Sequence, residues 1–239
     1  MRGLSAKALS SGSFGHFNRR RRRATHRVAN ANARIQEQAF TPGFPRLRQF
    51  VSVQNLFAHA NLQPPEIIIE QKVRKKGKCT VFDIGAGIGA ALGTALLNER
   101  LTPLRDKIEL IGMDVFPVDP KMEKETGVKM ITGNALTTPF PKADLIFSQV
   151  TAGYIGHIGI LVRKSASALD KEGIAVLHVN KEGTKKEKEL IKDMEKLKEN
   201  IEKIKIPRCR VHVVHGSYMD FNFPTYVSGD DLIIIIRKD

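Results

Sequence analysis

KCTVFDIGAGIGAALG, residues Lys78 to Gly93, is the stretch whose reading decides the fold. A short β-branched and aromatic run, Thr80 to Phe82, leads through Asp83 into glycines at alternate positions, Gly85, Gly87 and Gly89, and then into Ala90, Ala91 and Leu92. Strand, tight turn and helix follow one another without a break. Glycine belongs where the backbone takes positive φ or comes close to a ligand, and a helix starting directly after such a turn aims its unpaired N–H groups at the adjoining crevice.

Outward from Cys79, strand-like and helix-like segments alternate, which argues for an α/β domain with a mainly parallel sheet. The expected strands are 80–84, 108–115, 128–132, 144–150, 174–179, 210–215 and 231–237. The expected helices between them are 88–98, 119–126, 154–169 and 184–203. In the last, Leu190, Met194, Leu197, Ile201 and Ile204 recur at helical spacing, opposite a Lys/Glu face. Such a stripe suits packing on a sheet, with a dimer seam as the competing reading. No good helix separates the last two strands, so they should be antiparallel neighbours. The fold class expected is α/β: a seven-stranded, mainly parallel sheet with an antiparallel last strand, helices on both faces, and a helical N-terminal segment before it.

That segment divides in two. With 239 residues, 41% of them apolar, the chain can bury a core of ordinary size. Its net charge of +14 is uneven: residues 1–36 hold nine Lys or Arg and no acid, which leaves 30 basic against 25 acidic residues elsewhere. Residues 1–40 read as a basic tail of the kind that stays disordered, with five consecutive arginines, Arg19 to Arg23, after a Ser/Gly-rich run. Contact with RNA or the ribosome, a nuclear-localisation-like patch and a mitochondrial transit peptide compete with an inert tail. Residues 41–77 read as a helical cap or lid. An amphipathic helix over Pro45 to Leu62 is stopped by Pro64 and Pro65, which also suit the first turn of a second helix. Residues 78–239 form the α/β domain.

Two cysteines, Cys79 and Cys209, supply neither a disulfide framework nor a metal-ligand set, which suits a reducing compartment. No apolar run reaches the ~18 residues of a membrane span. A soluble, cytoplasmic protein is expected, or a mitochondrial or nuclear one if the tail is a targeting signal.

Open α/β sheets bind ligands beyond the carboxyl ends of their strands, near the switch in strand order. Strand one ends at the glycine turn and strand two at Asp114, whose carboxylate suits the two hydroxyls of a ribose. Strand three ends at Gly133 and Asn134, followed by Ala135. Strand four ends at Ser148 and Gln149, with Thr151, Tyr154 and His157 around the next turn.

The DIGAGIG turn, the acid ending strand two, the GNAL segment, the DLIFSQ strand and the ALDKEGIAVL run together resemble the class I S-adenosylmethionine-dependent methyltransferases, over about Val73 to Asp239. The resemblance implies S-adenosyl-L-methionine as cofactor. Asp83 would lie near the methionine amino group, Gly85, Ala86, Gly87 and Gly89 would pass beside the cofactor, and Asp114 would hold the ribose. Asn134 and Ala135 would border adenine, with Asn134 standing where many members carry aspartate. Ser148 and Gln149 would line the region beside the methyl group.

A nicotinamide enzyme shares the fold. Its turn is usually G-x-G-x-x-G, whereas this one is G-x-G-x-G with an acid two residues before the first glycine, poorly placed beside a pyrophosphate. A P-loop is excluded, because no G-K-S/T follows the glycines.

The D/N-P-P-Y/F motif and a Pro-Cys pair are both missing, so the acceptor stays open between an RNA or ribosomal component and a small molecule. A non-catalytic binding or assembly protein of the same fold is the alternative. His157 and Tyr154 are candidate proton acceptors, each with a plain surface role as the competing reading. No metal site is expected.

Overall fold

The structure, a computed structural model, describes residues 50–118, 120–149, 151–179, 194–219 and 227–239. The basic tail, the Pro45 to Gln49 start of the first expected helix, and Leu190 lie outside the described residues.

Two helices open the described chain, α1 (Phe50–His59) and α2 (Pro65–Lys76). Pro65 occupies the first turn of α2, where its missing N–H costs nothing, and Gly77 closes the helix in the left-handed region (φ 79°), its N–H donating to Val73 O at 2.8 Å. Then come β1 (Cys79–Ile84), α3 (Ala90–Ala95), a 3-10 turn (Thr102–Lys107), β2 (Ile108–Asp114), α4 (Pro120–Thr126), β3 (Lys129–Thr132) and β4 (Ala143–Ser148). The remainder is α5 (Thr151–Ile155), α6 (Ile158–Ala168), β5 (Leu169–Val179), α7 (Met194–Glu202), β6 (Cys209–Met219) and β7 (Val227–Lys238).

All seven expected strands are present, in one sheet of order β3-β2-β1-β4-β5-β7-β6. β1 pairs in parallel with β2 and β4, while β7 runs antiparallel to both β5 and β6, so it alone is reversed. The aliphatic run of β7 shows why the strand is central: Leu232, Ile234 and Ile236 enter the core on one face, Ile233 and Ile235 the core on the other. Period-two alternation sends both sets inward, and a strand buried on both sides reads as continuous hydrophobe. The first face is covered by α5, α6 and α7, the second by α1, α2 and α3. Met194 and Ile201 of the helical stripe are buried in the first core, with Leu197 and Ile204 packed against it, so the stripe belongs to the sheet.

Helix boundaries differ from expectation in two places. The helix after the glycine turn covers only six residues. Thr94 turns its hydroxyl back onto Ala90 O (2.8 Å) and accepts the Phe50 N–H (2.8 Å), while Thr102 Oγ1 donates to the Leu96 and Asn98 carbonyls (2.9 Å each), closing the chain into turns. The helix expected over 154–169 is instead two, broken at Gly156 and His157, both at positive φ (63° and 43°). β5 starts earlier than expected, because Ala143 pairs with Leu169 before the register shifts to Leu145 with Ile174.

The amino ends of the strands are tied to α2 by ions. Lys76 Nζ meets Asp144 Oδ1 at 2.5 Å, the other carboxylate oxygen accepts the Thr80 N–H at 3.1 Å, and Lys72 Nζ donates to Glu172 O at 2.7 Å. Asp144 itself is buried. Burial pushes the Cys79 thiol up to about 12, so it holds no nucleophilic thiolate at neutral pH.

Asp144→Ala strands a lysine and a buried amide at once. It is expected to lower stability by about 2–3 kcal/mol, and Asp144→Asn by less, since the amide oxygen still accepts from Thr80. Urea unfolding of the three proteins checks this, and coincident midpoints would rule out the clamp.

Candidate functional site

The switch in strand order falls between β1 and β4, which places the candidate site along the carboxyl ends of β3, β2, β1 and β4. Consecutive hydrogen bonds tie those ends together. Met113 O, near the end of β2, accepts the N–H groups of Gly85 (2.8 Å) and Ala86 (2.9 Å). Asp114 Oδ2 accepts the Gly87 N–H at 2.9 Å and Oδ1 the Phe116 N–H at 3.1 Å. Asp114 O accepts from Gly133 N at 2.8 Å, which brings in β3. On the other side, Ser148 Oγ donates to Ile84 O at 3.0 Å, linking β4 to β1.

The turn leaves little room. Gly85 adopts φ 79°, and a Cβ built there would overlap the Thr151 side chain at the start of α5. A Cβ on Gly112 would come within 2.6 Å of Met130 Sδ and 2.8 Å of Ala86 Cβ, so β2 also needs a glycine directly behind the turn. The outcome is a fixed loop with Asp114 gripping its middle. A carboxylate offers about four lone-pair sites, so bracing two backbone amides does not exhaust its capacity to accept from hydroxyl donors. Asp83 is buried on β1, paired with Gly112 and Phe147.

Asn134 starts the loop after β3. Its Oδ1 accepts the Leu136 N–H at 2.8 Å, so the side chain expected to border adenine is also bonded to the loop itself. Ala135 is buried beside it. Ser148 is fully buried with its hydroxyl donating to Ile84 O, and Gln149 is buried too. His157 is exposed at the break between α5 and α6, where its carbonyl accepts the Ile160 N–H at 2.8 Å. Tyr154 belongs to α5, and its side chain lies outside the described residues.

Three features escaped the sequence reading of the site. Gly112, and the packing of Thr151 against Gly85, are set by their neighbours, and no local pattern marks them. The third is a buried pair, His178 Nε2 lying 2.9 Å from Asp231 Oδ2 near the carboxyl end of β5. A histidine inside the apolar run AVLHV, and an acid directly before the aliphatic run Leu232 to Ile236, were the available signals. Among the described residues, no group of three or more His, Cys, Asp or Glu is placed to hold a metal ion, and no helix is long and apolar enough to cross a membrane.

No protein-family model and no curated protein matches the chain. Among solved structures, it is similar to the plantazolicin methyltransferase BamL in complex with a triazolic desmethylPZN analog and SAH (16% identity, 88% of this chain and 90% of that one, TM-score 0.48). It is also similar to a TehB-like SAM-dependent methyltransferase from Corynebacterium glutamicum (14% identity, 77% and 92%, TM-score 0.43) and to the CurJ carbon methyltransferase (14%, 79% and 55%, TM-score 0.49). At these identities and TM-scores the likenesses decide neither family nor activity.

Gly85→Ala should destabilise the protein by about 3 kcal/mol, combining left-handed strain with overlap onto Thr151. Thr151→Gly in the same chain should recover the overlap part only. Denaturant melts of the single and double variants measure both, and a neutral Gly85→Ala would show that the turn is not held as described.

Proposed function

We propose that this chain is an S-adenosylmethionine-dependent methyltransferase whose cofactor lies along the carboxyl ends of β1, β2 and β3. The observation that carries the reading is the pair of acids around the glycine turn. Asp83 is buried immediately before it, and Asp114 grips it from β2. A carboxylate below the turn suits the cationic ammonium of a methionine and opposes a pyrophosphate. The same contrast disfavours a dinucleotide.

In this reading Asp83 orients the methionine end, Gly85 to Gly89 let the cofactor approach the backbone, and Asp114 takes the ribose hydroxyls. Asn134 and Ala135 form the edge that meets adenine, and Ser148 and Gln149 close the site toward β4. The cofactor brings a methyl group already activated by its sulfonium charge. The protein's part is to align the acceptor, exclude water and, for a protic acceptor, take a proton. Cys79 is excluded as a nucleophile by its burial and its thiol pKa of about 12.

The acceptor belongs on the β4, β5 and β7 side of the switch point. The arginines at 19–23 favour an RNA or ribosomal component. The burial of Ser148, Gln149, His178 and Asp231 on that side favours a small acceptor as the second reading. A binding protein without transfer activity is the remaining alternative, and label transferred from methyl-labelled cofactor to any fraction of a cell lysate removes it. The three-part organisation, tail, helical segment 41–77 and catalytic domain 78–239, is part of the same proposal.

Titration calorimetry with S-adenosylhomocysteine tests the cofactor assignment. The wild-type chain should bind, NADH should not, and Asp83→Ala and Asp114→Ala should each weaken binding by about tenfold or more, the loss of one charged hydrogen-bonding partner. A wild type that does not bind, or variants that bind equally well, would overturn it. The tail is tested separately: removing residues 1–40 should weaken binding to a structured RNA and flatten its salt dependence. An unchanged affinity would take the tail out of acceptor recognition.

A further inference from the structure

We propose that Lys164 is a positioning residue for the cofactor's adenine, holding the loop after β3 in its binding shape before any ligand arrives. The proposal rests on the cofactor reading above and adds to it a residue from the opposite half of the sheet.

Lys164 lies on α6, well away in sequence from the loop it serves. Its ammonium donates to Ala135 O and to Thr138 O, each at 2.6 Å, and stands 4.4 Å from the centroid of the Phe140 ring. Phe140 in turn packs edge-on against Phe82 of β1, with ring centroids 5.2 Å apart and planes at 62°. One partly buried cation therefore fixes two carbonyls and an aromatic face, a geometry in which each contact is stronger than in water. Burial lowers the lysine's pKa, as expected of an ammonium drawn in against a loop.

The amides of the same loop are held from the other side. The Leu136 N–H donates to Asn134 Oδ1 at 2.8 Å, and the N–H groups of Thr137 and Thr138 donate to Asn134 O at 3.0 and 2.8 Å. Thr138 also closes onto Gly133, where a Cβ would overlap its side chain. The peptide joining Ala135 to Leu136 is consequently pinned at both polar ends, its carbonyl by Lys164 and its N–H by Asn134. Flipping it would break two hydrogen bonds, one of them charge-assisted.

This gives Asn134 a role that its position at the end of β3 does not reveal. Its side-chain oxygen shapes the loop, and the base meets a preset backbone surface in place of a single reaching amide. Preorganisation of this kind raises affinity by removing the ordering cost at the moment of binding.

The test compares S-adenosylhomocysteine with S-ribosylhomocysteine, the same molecule without the base, on wild type and Lys164→Met. The variant should bind S-adenosylhomocysteine about tenfold more weakly while S-ribosylhomocysteine affinity stays unchanged, since only the adenine edge has lost its preset shape. Equal losses for both ligands, or none for either, would overturn the role. A wild type that fails to bind S-adenosylhomocysteine sinks the cofactor reading and this role with it; a wild type that binds, beside an unaffected variant, sinks this role alone. Hydrogen exchange on the ligand-free wild type gives an independent measure. The Leu136, Thr137 and Thr138 amides should already exchange slowly, and fast exchange there would overturn the proposal even if Lys164→Met does not fold.

Discussion

The carboxyl edge of this sheet depends on one constraint, that the turn from Gly85 to Gly89 must be held close to β2. Met113 O takes two of its amides and the Asp114 carboxylate takes a third. Without those acceptors three N–H groups of a half-buried turn would lose their protein partners. The grip also explains two glycines outside the turn's own pattern. Gly112 must lack a side chain because Ala86 and Met130 occupy that space, and Gly133 must lack one because Thr138 does. The turn is thus fitted to its neighbours, and the Asp114 carboxylate braces it from β2.

Much of the architecture was readable from local pattern because local and global demands agree. β1 and β7 are apolar over long runs and are buried on both faces; the amphipathic stripe of α7 packs where period 3.6 puts it. Pattern failed where a single side chain redirects the backbone. Thr94 and Thr102 turn their hydroxyls onto nearby carbonyls and end a helix that its alanine-rich sequence would continue. The positive φ of Gly156 and His157 divides the helix after β4, although isoleucines flank the break on both sides. In the site, the acids and glycines were visible because their types are unusual at strand ends. Gly112, Lys164 and the contact of Thr151 with Gly85 were not, since each acts on a segment distant in sequence and involves an ordinary residue where it stands.

The two ends of the sheet use charge differently. At the amino ends, Lys72, Lys75 and Lys76 of α2 meet Asp144 and Glu172, so cation and anion are matched within a few ångströms. At the carboxyl ends, the acids Asp83, Asp114 and Asp231 lie on three different strands, and Asp114 accepts from the backbone amides of Gly87 and Phe116. Ion pairing fixes α2 against the sheet and gains little beyond that, because exposed pairs such as Lys75 with Glu172 are screened by solvent. Asp114, by contrast, is partnered by backbone amides. The first end is built for cohesion; the second is the one to which the proposed cofactor is assigned.

That contrast bears on why the proposed donor is easier to identify than its acceptor. In the proposed reading each strand end on the donor side meets a different chemical demand: an acid for a cation, an acid for a diol, a shaped loop for a planar base. On the acceptor side the polar groups are turned inward, Ser148 to a carbonyl and His178 to Asp231. Methyl transfer from a sulfonium asks little of the protein beyond alignment and a dry site, so a wide range of acceptors can be served without a distinctive residue set. The buried His178–Asp231 pair is a polar investment on that side that the sheet's own hydrogen bonding does not require. Burying such a pair costs desolvation that an aliphatic pair would avoid, so in the proposed reading it marks the β4, β5 and β7 side to which the acceptor is assigned.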